Sequence, residues 1–125
     1  MPHVDPSAED LAEFWASAPD EPFVMLNLLR YAADGGRERY AEYLRRAAPY
    51  VEQVGARVLY LGQGGPTLVG DEPWDSVMLV WYPSPGAFRR MLEAPGYAEV
   101  AELRSAALAA AVLEPTRPTG PSRPA

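Results

Sequence analysis

The stretch FVMLNLLRY, Phe23 to Tyr31, holds seven apolar or aromatic residues in nine positions, with Asn27 at its centre and Arg30 near its end. It is too short for a fully buried helix and lies between Pro19 and Pro22 on one side and ADGG, residues 33 to 36, on the other, so it reads as a strand. Side chains alternate along a strand, which puts Phe23, Met25, Asn27, Leu29 and Tyr31 on one face and Val24, Leu26, Leu28 and Arg30 on the other. The even set is aliphatic as far as Leu28, as expected of a face packed under helices. The odd set mixes an amide, a thioether and aromatics, the composition of a pocket lining with a few orienting polar groups. A buried amide left unpaired costs about 1 to 3 kcal/mol. Asn27 therefore bonds either to a neighbour within the chain or to a ligand or ordered water.

Working outward, Ser7 is a plausible cap for a short helix in which Leu11, Phe14 and Trp15 share a face, ended by Pro19 and Pro22. From about Arg37 to Val54, Tyr40, Tyr43, Leu44, Ala47, Val51 and Val54 recur at three- and four-residue steps with charged residues between them, the pattern of an amphipathic helix. Pro49 interrupts its hydrogen bonding, and Gly55 suits the left-handed residue that closes it. Residues 56 to 63 and 76 to 82 have strand composition. Ser84 followed by Pro85 starts a helix carrying Phe88, Met91 and Leu92, broken by APG at 94 to 96. A second helical piece runs from Tyr97 to about Ser105, and residues 109 to 114 form a fourth strand.

The order is helix, strand, helix, strand, strand, helix, strand, which is the α+β, ferredoxin-like split βαβ (βαββαβ) pattern behind an N-terminal helical extension. The boundaries are 1 to 22 for the extension, 23 to 114 for the domain and 115 to 125 for a tail. That tail has proline at every third position from Pro115 to Pro124 and is expected to be disordered. Helices cover one face of such a sheet, yet all three strong strands are apolar on both parities. Something must cover the second face, and an identical subunit, joined by a self-complementary two-fold interface, is the commonest answer. The expected assembly is a homodimer, a dimeric α+β barrel.

Composition limits the chemistry. The chain has 125 residues, 48% hydrophobic and 22% charged, enough for one domain with a modest core. Its formal charge of -6 disfavours nucleic acid and anionic membranes. It has no cysteine and a single histidine, His3, so disulfides, thiolate nucleophiles and an all-protein metal site are not expected, and no cofactor is called for. No run approaches the ~20 apolar residues of a membrane span, and the N-terminus is acidic where a signal peptide is basic, so the cytoplasm is the expected location.

Several stretches together resemble a known family: HVDPS at 3 to 7, VMLNLLRY at 24 to 31, RYAEYLRRAAPYVEQVGARVLY at 39 to 60, WDSVMLVWYPS at 74 to 84, and Tyr97 with Arg104 before the last strand. Their order and spacing, over roughly residues 3 to 114, are similar to the family of domain of unknown function 1330, in its longer subset with an N-terminal extension. The resemblance implies the dimeric α+β barrel that is shared with cofactor-independent antibiotic-biosynthesis monooxygenases, muconolactone isomerases and haem-degrading enzymes. It implies no activity, because fold alone does not carry function.

The candidate catalytic residues are Asn27, Arg30, Tyr60 and Arg104, groups able to polarise a carbonyl or enolate. Arg30 is otherwise a solvated surface residue or the partner of a carboxylate such as Asp75 or Glu114. Arg104 stands just before the last strand, where the resembled family usually has a basic residue. Candidate substrate-binding residues are Met25, Leu29, Tyr43, Trp81 and His3. Tyr43 lies on the apolar helix stripe and Trp81 among aliphatic residues, so core packing is the alternative for both. His3 has the one side chain that titrates near neutrality, but it stands three residues from a terminus. GQGGP at 62 to 66 lacks the spacing of a phosphate loop and reads as a turn. The expected function is binding of a small hydrophobic, oxygenated organic ligand, with or without an isomerase, cyclase or monooxygenase reaction upon it.

Overall fold

The computed structural model describes residues 4–120. His3, Pro121 and Pro124 lie outside the described residues. Eight elements follow in order: α1 (Ala8–Ser17), β1 (Phe23–Tyr31), α2 (Gly36–Gln53), β2 (Arg57–Gln63), β3 (Ser76–Tyr82), α3 (Pro85–Glu93), α4 (Tyr97–Ala107) and β4 (Leu108–Thr116). The four strands form one antiparallel sheet in the order β2-β3-β1-β4, the ferredoxin-like arrangement. Local chemistry starts and stops the helices as the sequence implies. Ser7 accepts from the Asp10 amide at 3.0 Å, Ser84 accepts from the Ala87 amide at 3.1 Å with Pro85 in the first turn, and Gly55 takes φ +76° after α2. No helix among the described residues is long and apolar enough to cross a membrane.

The helices cover the odd face of β1, not the even one. Phe23, Met25, Asn27 and Leu29 are buried, while Val24, Leu26, Leu28 and Arg30 are only partly so. This corrects the expectation that the aliphatic even set lies under the helices. The register explains the reversal. Asn27 is paired with Met78 and Met25 with Val80, and these residues share the helix-covered face with Tyr40, Tyr43 and Phe88 in one core. The even set instead joins Val77, Leu79 and Trp81 on an outer face whose residues are only partly buried.

An aromatic ladder closes one end of the core. Phe14 of α1 meets Phe23 edge-on at 5.6 Å, Phe23 stacks on Tyr82 at 5.2 Å, and Phe88 meets both Tyr82 and Trp15. Ring pairs in these orientations contribute about 0.5 to 1.5 kcal/mol each beyond the area they bury, so α1 is part of the packed body.

β4 runs two residues further than the proline spacing implies. Pro115 is opposite Met25 and Thr116 opposite Val24, and the Thr116 hydroxyl donates to the Val24 carbonyl at 2.7 Å. A tail beginning at residue 115 is therefore corrected to one beginning after Thr116. The reason is that β4 is an edge strand, where a proline's missing N–H faces no partner.

Candidate functional site

A cavity of about 530 Å³ lies between the inner face of the sheet and helices α2, α3 and α4. Its room comes from short side chains: Ala47 on α2 and Ala101 on α4 face it where longer residues would fill the gap. Methionines 25, 78 and 91 form much of the apolar wall, and such flexible thioethers fit guests of irregular shape. Its size is that of a small-molecule site.

Polar groups enter this wall at few places. Asn27 is 5% exposed, and its Nδ2 donates to the carbonyl oxygens of Met25 at 3.3 Å and Met78 at 3.5 Å. Both bonds are long and neither engages Oδ1. Tyr43 and Tyr97 share a hydroxyl–hydroxyl hydrogen bond of 2.8 Å. Arg104, 8% exposed, lines the same cavity. Its Nη1 donates to the Val4 carbonyl and lies 3.6 Å from Asp5 Oδ1, while its Nη2 is buried without a partner.

The protonation states follow from burial. Burial pushes the Tyr40, Tyr82 and Tyr97 hydroxyls above the usual tyrosine range, Tyr43 adds to the effect, and the charge of Arg104 opposes it. These phenols stay neutral at physiological pH, and of the three Tyr97 is hydrogen-bonded through its hydroxyl, to Tyr43. The carboxylates that line the cavity, Asp5 and Glu52, belong to exposed residues at its rim.

Of the nine residues singled out in the sequence, four line the cavity: Asn27, Arg104, Met25 and Tyr43. Leu29 is on the inner face but is fully buried core and does not line it. Arg30, Tyr60 and Trp81 do not line the cavity either, because all three stand on the outer face. Arg30 pairs with Glu72 at 3.6 Å and lies over the Trp74 ring, while Asp75, an expected partner, instead accepts from the Tyr31 amide at 2.9 Å. Trp81 carries Arg57 over its ring at 4.8 Å. Tyr60 is 54% exposed and lies across Gly62, whose hydrogen leaves space that a methyl group would take at 2.1 Å from the Tyr60 hydroxyl. A bulge between Val58 and Tyr60 resets the pleat of β2, so counting by twos along that strand loses the face.

Tyr97, Met78 and Asp5 were not singled out, yet they line the cavity. A signal for Tyr97 existed: residues 97, 101 and 104 recur at four and three, one helix face over two turns.

Residues 35–113 match the family model described as domain of unknown function (DUF1330). The chain belongs to this family. Among solved structures, the RPA0582 protein of unknown function from Rhodopseudomonas palustris is 37% identical, with a TM-score of 0.89 over 97% of this chain and 100% of that one. More distant structures share the fold alone. At3g17210 from Arabidopsis thaliana is 14% identical (TM-score 0.63, 81% of this chain and 99% of that one). A Caulobacter crescentus protein provisionally named an antibiotic biosynthesis monooxygenase is also 14% identical (TM-score 0.57, 81% and 92%). No curated protein matches the chain.

Proposed function

We propose that this member of the family binds a hydrophobic molecule carrying an oxygen function in the cavity between sheet and helices, with Arg104 and Asn27 holding that oxygen. The observation that carries the reading is the buried guanidinium: an apolar cavity of about 530 Å³ is lined by an arginine whose Nη2 has no partner among the described residues. A buried charge or donor without a partner is costly, and a guest oxygen removes the cost. A cationic donor beside a guest oxygen also suits the polarisation of a carbonyl or enolate, as a cofactor-independent isomerase, cyclase or monooxygenase requires. The provisional name of the Caulobacter protein leads to the same reaction class by fold analogy.

A second reading, a carrier or accessory subunit that binds without reaction, is favoured by one observation. The interior groups are neutral phenols, an amide and a guanidinium, and the lining carboxylates sit at the exposed rim. The outer face of the sheet, with Val24, Leu26, Leu28, Val77, Leu79 and Trp81 only partly buried, is proposed to bind a second copy of the chain.

Native mass spectrometry of the purified protein, with titration of 1-decanol as a simple apolar alcohol, tests the binding reading. A carried guest or saturable decanol binding is expected, weakened about tenfold by Asn27→Leu. Because the Asn27 bonds are long, that variant should keep its stability within about 1 kcal/mol. A cavity that is empty and takes no decanol would overturn the reading. Turnover of a carried guest would decide between enzyme and carrier.

A further inference from the structure

The contacts of Arg104 narrow the class of guest. The guanidinium belongs to a residue that is 8% exposed, and its anionic neighbour is weakly placed: Asp5 Oδ1 lies 3.6 Å from Nη1 and belongs to a side chain 58% exposed. The same Oδ1 accepts from the Ser105 hydroxyl at 2.7 Å, a better bond than the one to the arginine. Nη1 also donates to the Val4 carbonyl, and Nη2 is buried without a partner among the described residues. A guanidinium offers a planar fork of donors that matches both oxygens of one carboxylate, and here half of that fork is unused.

The N-terminal segment supplies what covers the arginine. Asp5 and Pro6 line the cavity, and Val4 and Asp5 hold Arg104 and Ser105 of α4, about 100 positions later in the chain. Next to them, Ser7 caps α1, which packs through Phe14 and Trp15 on the aromatic ladder. The segment is therefore a strap across the cavity, anchored at its helix end. Among the described residues its polar links to α4 are one carbonyl bond, one long ion pair and one hydroxyl bond, beside the packing of Val4 on the core.

We infer that Arg104 is the anchor for the carboxylate of an apolar monocarboxylic acid, and that Val4 and Asp5 hold the guanidinium in the empty protein and yield it when the acid enters. The inference rests on the binding reading above and adds the charge of the guest and the exchange with the strap. The acid's apolar body lies along the methionine wall, and its carboxylate takes Nη1 and Nη2 together. A carboxylate pairing in this apolar surrounding gains more than one in water, while the displaced Asp5 returns to solvent at little cost because it is already more than half exposed.

The test uses a matched pair of probes, decanoate and 1-decanol, which share a chain and differ in the charged group, titrated calorimetrically into the full-length protein. Decanoate is expected to bind at least about tenfold more tightly than decanol. Asp5→Asn removes the charge of the resident competitor at the cavity rim while keeping its side-chain size, and is expected to strengthen decanoate about threefold or more while moving decanol less, so the preference widens. Arg104→Gln is expected to bring the ratio of the two affinities close to one. Should that variant fold poorly, the wild-type ratio and the Asp5→Asn shift still decide. Equal affinity of the two probes for the wild type would overturn the carboxylate anchor and leave the binding reading standing. Failure of both probes to bind would sink the two together. A preference for decanoate that Asp5→Asn reduces would overturn the exchange.

Discussion

Tyr43 on α2 and Tyr97 on α4 join the two helices by a single hydroxyl–hydroxyl bond of 2.8 Å beside the cavity. Among the described residues neither hydroxyl has another side-chain hydrogen-bond partner, so removing one strands the other in a buried place. Tyr43→Phe should cost about 1 to 2 kcal/mol in denaturant unfolding. The double variant with Tyr97→Phe should cost clearly less than the sum of the two single variants. Simple additivity would mean that the bond contributes nothing.

Tyr40 presents the opposite case. It is 1% exposed and its hydroxyl has no partner, so Tyr40→Phe should leave neutral-pH stability unchanged or raised. Its folded-state pKa is raised, as are those of Tyr82 and Tyr97, so the folded state resists losing these protons. The unfolded chain releases them near pH 10. The stability these groups provide is thus fully present below about pH 10 and falls as pH rises through and above it, because the unfolded state then binds fewer protons. Unfolding free energies measured at about pH 9 and about pH 11 should show the fall, and Tyr40→Phe should make it shallower.

The outer face of the sheet sets the expected mass. Sedimentation at micromolar concentration should give a particle of twice the 13.7 kDa chain. Leu79→Glu, which places a charge at the centre of that face opposite Leu26, should shift the equilibrium to monomer. A wild-type monomer would refute the proposed pairing.

Strand pairing at the C-terminal end predicts two different truncations. A chain ended at Glu114 loses the Pro115 and Thr116 pairings and the Thr116 bond to Val24, and should melt at least about 4 °C lower. A chain ended at Pro118 keeps them, and also the Arg117 to Glu21 ion pair at 3.1 Å, and should melt within about 2 °C of the full length.

Element order, helix caps and the ferredoxin-like class were legible because each rests on local chemistry: Ser84 with Pro85, Gly55, and the period of α2. The placement of Asn27 and Met25 on the cavity-lining face was legible from alternation alone. What alternation does not carry is which face the helices take. Both faces of β1 are apolar, and the choice is made by the register with β3 and by long-range packing of Tyr40, Tyr43 and Phe88. Arg30 takes the face opposite Asn27 that alternation gave it, Trp81 shares that face through its pairing with Val24, and a bulge in β2 sets Tyr60 there too. The extent of β4 was missed because a proline was weighed without knowing that its strand is an edge.

The two edges of the sheet bear on how copies of this chain meet in a crowded cell. β2 offers one free edge and β4 the other, and an unbroken edge is a template on which strands of further molecules add without limit. Here the β2 edge is kinked by the bulge between Val58 and Tyr60, and the β4 edge carries Pro115, which has no hydrogen to donate. Strand-by-strand growth into fibrils is thereby blocked at both ends of the sheet. The pairing proposed for the apolar outer face, a self-complementary two-fold contact, closes after one partner.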